Sequence, residues 1–338
     1  MSAPPSASPP PSRSHRALRW LPWLLGAALV ATVVSVALHF SDAEQFVRIA
    51  ERARPRWLAV AVLLQAATYW AQAEVWRRVA RAARFRLSRG FAYELSLVKL
   101  FVDQALPSGG ISGTVVVARA LEARGMARPT ISAMIVVSTA SYYAVYVVTL
   151  AAALVIAHVR HEANGIVELV SIAFVLFAVV VTVGVLVLAG RSASQLNPRL
   201  ARLPLVGKGL GLIEDADRRL ARGPRLLVEA GGYQLLIVLF DAATVWFAIL
   251  ALGTSASVSG VFASFMISTL FRTVGVLPGG LGTFEATSVL TLKLVGVELS
   301  IALSATLLFR GLSFWLPMIP GFIVARRIAP KHEAATRV

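Results

Sequence analysis

Apolar positions run almost unbroken for about 20 residues at a time, at 20–40, 57–76, 130–157, 165–189, 226–252 and 299–325. Runs of that length cross a hydrocarbon core as helix, so the pattern predicts six transmembrane spans. Two further stretches, 91–125 and 258–297, are apolar but broken in the middle, at LPSGG and LPGGLG. Proline with adjacent glycines ends a helix and lets the chain turn. Roughly 12–17 residues remain on each side of a break, short for a full crossing. Each broken stretch therefore predicts a re-entrant helical hairpin. The expected fold is an all-α polytopic membrane protein with six full spans and two re-entrant broken-helix hairpins.

The breaks also disclose a repeat. Pro107-Ser108-Gly109-Gly110 and Pro278-Gly279-Gly280 lie 171 residues apart, and at that offset 57–79 falls on 228–250 and 130–148 on 301–319. Each unit, about 57–157 and 226–325, is span, broken hairpin, span. Three crossings separate the two unit starts. An odd number inverts the second unit relative to the first, which is the pattern of inverted-repeat transporters with a binding site at the repeat interface.

Composition sharpens this picture. Apolar residues make up 57% of the 338, charged residues only 15%, and mean hydropathy is +0.73. A soluble domain carries about 25% charged residues, so a soluble two-domain enzyme is excluded. The net charge of +16 comes mostly from arginines in short loops between apolar runs. That is the positive-inside distribution, and no basic stripe with interleaved aromatics points to nucleic acid.

Loops 77–90, 119–128 and 190–225 and the tail are basic, whereas 158–164 holds one Arg and 253–257 no charge. Both termini are thus expected in the cytoplasm, with 158–164 outside; 41–56, also external in this scheme, is only weakly biased. The Pro/Ser-rich tail 1–19 is expected to be disordered, residues 20–326 to form the membrane domain, and 327–338 a cytoplasmic tail. The apolar stretch from Trp20 is long for a signal peptide and reads as an uncleaved span. With no cysteine, disulfides and thiolate metal sites are excluded.

LPSGGISG in the first hairpin, VLPGGLGTFEA in the second and the later LLFRGLSFWLPMIPG resemble the lysylphosphatidylglycerol synthase transmembrane region. This flippase-like family includes the membrane half of bacterial multiple peptide resistance factors. The likeness covers about residues 20–326, and its most specific part is PGGLGTFE with Arg310 downstream. Members often carry Asn and a Gly-Glu pair near the first break, where this chain has Asp103 with Ser112 and Gly113. The resemblance implies a multi-pass protein of the bacterial inner membrane that handles lipids. After Ala325 only 13 residues remain, so lysyl transfer is not implied.

Ionisable residues inside apolar spans cost about 2.5–3.5 kcal/mol each and default to functional candidates. Hairpin one holds Glu94, Lys99 and Asp103; hairpin two holds Arg272, Glu285 and Lys293; Asp241 and Arg310 lie mid-span. Charges pair in a low dielectric, so Arg272, Arg310, Asp241 and Glu285 are expected to form a buried network. Lys99 and Asp103, four residues apart, can pair on one helical face. Glu74, Glu168 and Glu229 fall near span ends, where snorkelling is cheap.

At Gly279, Gly280 and Gly282 a helix restarts within the membrane and directs its positive dipole end at that spot, where phosphate or carboxylate binds. Gly109 and Gly110 form the pseudo-symmetric counterpart. Internal capping by Thr283 or Glu285 is the structural alternative. The loop 198–225 reads either as an amphipathic helix on the anionic leaflet or as a solvated linker.

Enzymatic readings fail on their partners. Gly110-Ile111-Ser112-Gly113 resembles a serine-protease motif, but every His lies in a tail, a loop or a span end. His158 and His161 lack the spacing of a zinc site. No cofactor, metal or nucleotide motif is expected.

The leading reading is a lipid transporter that binds an anionic headgroup between its two hairpins, its ligand a phospholipid or a polyprenyl-linked lipid. A non-transporting partner that presents a lipid-linked substrate to a separate glycosyl- or acyltransferase is the alternative. A small-solute carrier and a homo-oligomer also stay open.

Overall fold

A computed structural model describes residues 53–106, 111–159, 216–274 and 280–328, together with positions 172, 176 and 179, each of them helical. The first apolar run (20–40), the tail 1–19, the rest of 165–189, residues 198–215 and the chain beyond 328 lie outside the described residues. So do Pro107–Gly110, with Gly109 and Gly110, and residues 275–279, with Gly279.

Described secondary structure is helical throughout. Helix α1 spans Pro55–Ala82, α2 Arg89–Ala105, α3 Ile111–Glu122 and α4 Arg128–Val159. A single turn, α5 (Arg218–Ala221), precedes α6 (Pro224–Ala251). Then come α7 (Val258–Val274), α8 (Thr283–Leu294), α9 (Leu299–Arg310), a π-helical turn at Gly311–Trp315, and α10 (Leu316–Ile328).

The two halves share their punctuation. Both α1 and α6 open on a proline, whose fixed φ suits the first helical turn, and both run 28 residues. Helices α2 and α7 are each 17 residues long, and α3 and α8 each 12. Helix ends match too. Gly125 (φ 83°) follows α3 and Gly296 (φ 88°) follows α8. The next amides then reach back, Met126 N to Leu121 O at 3.1 Å and Val297 N to Leu292 O at 3.0 Å. This is the left-handed helix cap that glycine supplies without steric cost.

The same cap closes α6 at Gly253 (φ 86°) and α1 at Arg84 (φ 59°), the one described non-glycine residue in that region. Helix starts recur at offsets of 169 to 172 residues (55/224, 89/258, 111/283, 128/299), so the 171-residue register slips slightly along the chain.

Packing recurs as well. Helix α4 lies against α7, and its counterpart α10 lies against α2; α1 and α6 pack on each other. Each half thus lends its last helix to the other half's hairpin, as an isologous two-fold contact does. At the α10–α2 crossing a Cβ on Gly321 would sit 2.7 Å from Leu97 O and 2.8 Å from Phe101 Cβ. The two backbones touch there, the close approach that small residues permit between membrane helices.

One apolar core gathers Trp76, Phe91, Leu95, Leu121 and Val137; the other gathers Leu150, Ile249, Met266, Phe284 and Phe309. Helices α4 and α6 contribute to both.

Helix α4, helix α6 and the segment Leu299–Ile328 are long and apolar enough to cross a membrane. Helix α1, expected as a span, has the length, but Gln65, Thr68, Tyr69, Gln72 and Glu74 interrupt its apolar run. Those polar groups turn inward: Gln65 and Glu74 are each only 4% exposed. Glu74, expected to snorkel, is instead buried among arginines. It pairs with Arg77 and, at 3.0 Å, with Arg81, and Arg89 of α2 comes to 4.0 Å. Glu229 bonds Arg78 and Arg225, both at 3.0 Å.

The described end of the 198–225 loop packs on protein. Asp217 caps α5 through the amides of Arg219 and Leu220, and Leu220 and Ala221 are buried.

Candidate functional site in hairpin two

The break between α7 and α8 closes around glycine. Gly280 (φ 63°) is buried, and a Cβ there would overlap the Arg272 side chain. Gly280 therefore lies directly on Arg272, in the last turn of α7. Gly282 (φ 81°) precedes α8, and its amide donates to Glu285 Oε2 at 2.7 Å. Thr283 Oγ1 donates to Gly280 O at 3.0 Å. Of the two capping candidates of the sequence, Glu285 takes an N-terminal amide, whereas Thr283 gives its hydroxyl hydrogen to the turn.

The other Glu285 oxygen holds Arg310. Arg310 Nε donates to Glu285 Oε1 at 2.6 Å, with side-chain exposures of 5% and 20%. Of the two acids the sequence offered Arg310, the structure selects Glu285. Asp241 belongs to a different cluster: its Oδ1 accepts from Gln65 Nε2 at 2.9 Å and Thr68 Oγ1 at 3.3 Å, and Gln65 also reaches Thr244 Oγ1 at 3.1 Å. The expected four-charge network is therefore two neighbouring groups rather than one chain of ion pairs.

Phe284 ties the cations together. This fully buried ring has the Arg310 guanidinium 5.5 Å from its centroid and that of Arg272 at 5.9 Å. Arg310 also lies 4.6 Å from the Phe314 ring. Glu285 neutralises Arg310, whereas Arg272 has no carboxylate within 4 Å among the described residues. Hairpin two thus carries one surplus guanidinium next to a glycine turn and a helix start, the composition that suits an anionic oxygen group.

Hairpin one is closed differently. Lys99 Nζ pairs with Asp103 Oδ2 at 2.5 Å, and Asp103 Oδ1 accepts the Gly113 amide at 2.8 Å. Its acid, 169 residues before Arg272, occupies its own α3 start, so this hairpin is charge-balanced internally. Glu94 and Lys293 are exposed.

The sequence profile of the lysylphosphatidylglycerol synthase TM region matches residues 23–321. The chain belongs to this family. A UPF0104 membrane protein of Pyrococcus horikoshii is 23% identical over 312 residues, covering 87% of this chain and 93% of that one. A UPF0104 membrane protein of Methanothermobacter thermautotrophicus is 27% identical over 111 residues, 33% of each chain. One of Methanocaldococcus jannaschii is 33% identical over 85 residues, 25% of each.

In this lysylphosphatidylglycerol synthase TM region protein, the π-helical turn right after Arg310 escaped the sequence reading. Pro317 has no N–H to give the Ser313 carbonyl four residues back, and Tyr69 OH donates to that carbonyl instead, at 3.2 Å. The two prolines in LPMIP carried the signal. Hydroxyls join the helices here: Ser264 to Thr291 at 2.6 Å within hairpin two, and Ser288 to Thr306 at 2.8 Å between hairpin two and α9.

Proposed function

We propose that this chain is a lipid transporter of flippase type whose hairpin-two site takes the anionic headgroup. The observation that carries the reading is the surplus guanidinium of Arg272, laid on Gly280 and beside the Glu285–Arg310 pair. A lone cation at that depth is expensive, by about 2.5–3.5 kcal/mol on insertion scales, and a lipid phosphate offsets that cost without leaving the membrane. Family membership supports a lipid-related role.

The inverted-repeat reading gains support from the exchange of α4 and α10 between halves and from the odd number of expected crossings between unit starts. In it, two hairpins enter from opposite faces and the headgroup passes between them, with both termini cytoplasmic in a bacterial inner membrane.

The test is translocation. Purified protein reconstituted with a headgroup-labelled fluorescent phosphatidylglycerol should expose inner-leaflet dye to an impermeant quencher faster than empty vesicles do. Arg272→Gln should lose that acceleration. Equal rates with and without protein refute transport; if phosphatidylglycerol still binds, the substrate-presenting partner becomes the better reading.

A further inference from the structure

We propose that the Thr269 hydroxyl is a second ligand of the headgroup, donating to one phosphate oxygen while Arg272 takes another. The proposal rests on the headgroup reading of Arg272 and adds the residue that completes the site.

Thr269 lies in α7, one turn before Arg272, and is 4% exposed. Its Oγ1 is buried and has no hydrogen-bond partner among the described residues. Its surroundings differ. Every other serine and threonine of α7 and α8 is hydrogen-bonded through its hydroxyl to a carbonyl or to another hydroxyl. Immediately beside it, Ser268 donates to Ser264 O at 2.7 Å and Thr273 to Thr269 O at 2.9 Å. A threonine inside a helix can return its hydrogen to the carbonyl one turn back, and Thr269 does not. Buried polar groups of folded proteins are nearly all paired, because an unpaired one is destabilising. A hydroxyl held in that state is free for a partner that comes and goes.

The spacing sets where it faces. Phe265, Thr269 and Arg272 are four and three residues apart, so they share one stripe of α7. The Phe265 ring lies 6.4 Å from that of Phe284 and 5.8 Å from that of Phe309. The Arg272 guanidinium lies 5.9 Å from the Phe284 centroid. Both neighbours of Thr269 on the stripe thus meet the same aromatic wall, and Thr269 lies between them. A long helical side chain leans toward the helix N-terminus, which carries Arg272 over the turn that holds Thr269.

A guanidinium only donates hydrogen bonds, and the charged oxygens of a phosphodiester only accept them. With one guanidinium alone, a second phosphate oxygen would stay unserved beside an apolar wall. The start of α8 does not supply the missing donor from Gly282, whose amide Glu285 already holds. Arg310 is engaged by the same carboxylate. The Thr269 hydrogen, committed to no carbonyl, is the donor left over.

The experiment pairs affinity with stability, on the full chain in detergent. Binding of dihexanoyl-phosphatidylglycerol is measured by titration calorimetry, and the thermal midpoint is read without lipid. Valine keeps the shape of threonine and removes the hydroxyl. Thr269→Val should weaken phosphatidylglycerol binding about ten- to hundredfold, the loss expected for one hydrogen bond to a charged group. Its lipid-free midpoint should equal or exceed that of wild type, since no partner in the protein loses a bond. Thr269→Ser, which keeps the hydroxyl, should bind as wild type does, and Arg272→Gln should lose binding.

Unchanged affinity in Thr269→Val overturns the proposal and leaves the headgroup site on Arg272 standing. A lowered midpoint or a failure to fold in Thr269→Val does the same, because the hydroxyl would then hold the fold rather than the ligand. No phosphatidylglycerol binding by wild type, or inorganic phosphate competing as strongly as the lipid, overturns the headgroup reading itself, and the proposal with it.

Discussion

Replacing Arg310 by Met removes the positive half of the ion pair that joins α9 to hairpin two and strands Glu285. Breaking such a pair costs about 3–5 kcal/mol, because the remaining charge loses its partner in a low dielectric. Two features of the site place the loss toward the lower end of that range. Glu285 is 20% exposed and keeps the Gly282 amide, so its charge is not wholly abandoned. Against this, Met also forfeits the ring contacts of the guanidinium with Phe284 and Phe314, worth about 0.5–2 kcal/mol.

The expected destabilisation is about 3–4 kcal/mol, read as a fall in thermal midpoint in detergent. Glu285→Gln on top of Arg310→Met should recover part of it by removing the stranded charge, whereas Asp241→Asn should recover none. A double-mutant cycle isolates the coupling. If the Glu285 cycle is additive within error, or Asp241→Asn does the rescuing, the pairing is wrong and so is the picture of Arg272 as the surplus cation.

Other outcomes follow from close approaches and from topology. A Cβ at Gly113 would overlap Asp103 Oδ1 and come 2.6 Å from Lys99 O, so Gly113→Ala should destabilise hairpin one by about 1–3 kcal/mol in the same thermal assay. Gly321→Ala should cost a similar amount, about 1–3 kcal/mol, by separating α10 from α2, and should loosen the Phe101–Phe322 contact (5.6 Å). A Cys placed at His161 should react with an impermeant maleimide on intact cells, and one at Ala83 should not; reversed labelling would remove the parity on which inversion rests.

Helix limits were legible because the punctuation is local. Pro55 and Pro224 start helices, Gly125 and Gly296 end them, and the apolar runs between are unmistakable. Arg310 stood out as a guanidinium in an apolar run for the same reason. Its partner did not, because Asp241 and Glu285 are both within reach of a mid-span arginine in one dimension, and only the turn through Gly280 and Gly282 swings Glu285 onto it. The Gln65–Asp241 contact joins residues 176 apart, which no spacing announces. Glu74 misled because its burial comes from Arg77 and Arg81 one and two turns on together with Arg89 from the next helix, a tertiary clamp at what looks like a free helix end. Arg84 in a left-handed conformation was hidden too: only its counterpart, Gly253, carries the residue type that signals it.

Lipid retention tests the central claim most directly. Native mass spectrometry of the purified wild type should show an anionic lipid bound, and Arg272→Gln should lose it while holding zwitterionic lipid as before. Anionic lipid retained equally by both proteins would contradict the account and leave hairpin two a structural element alone.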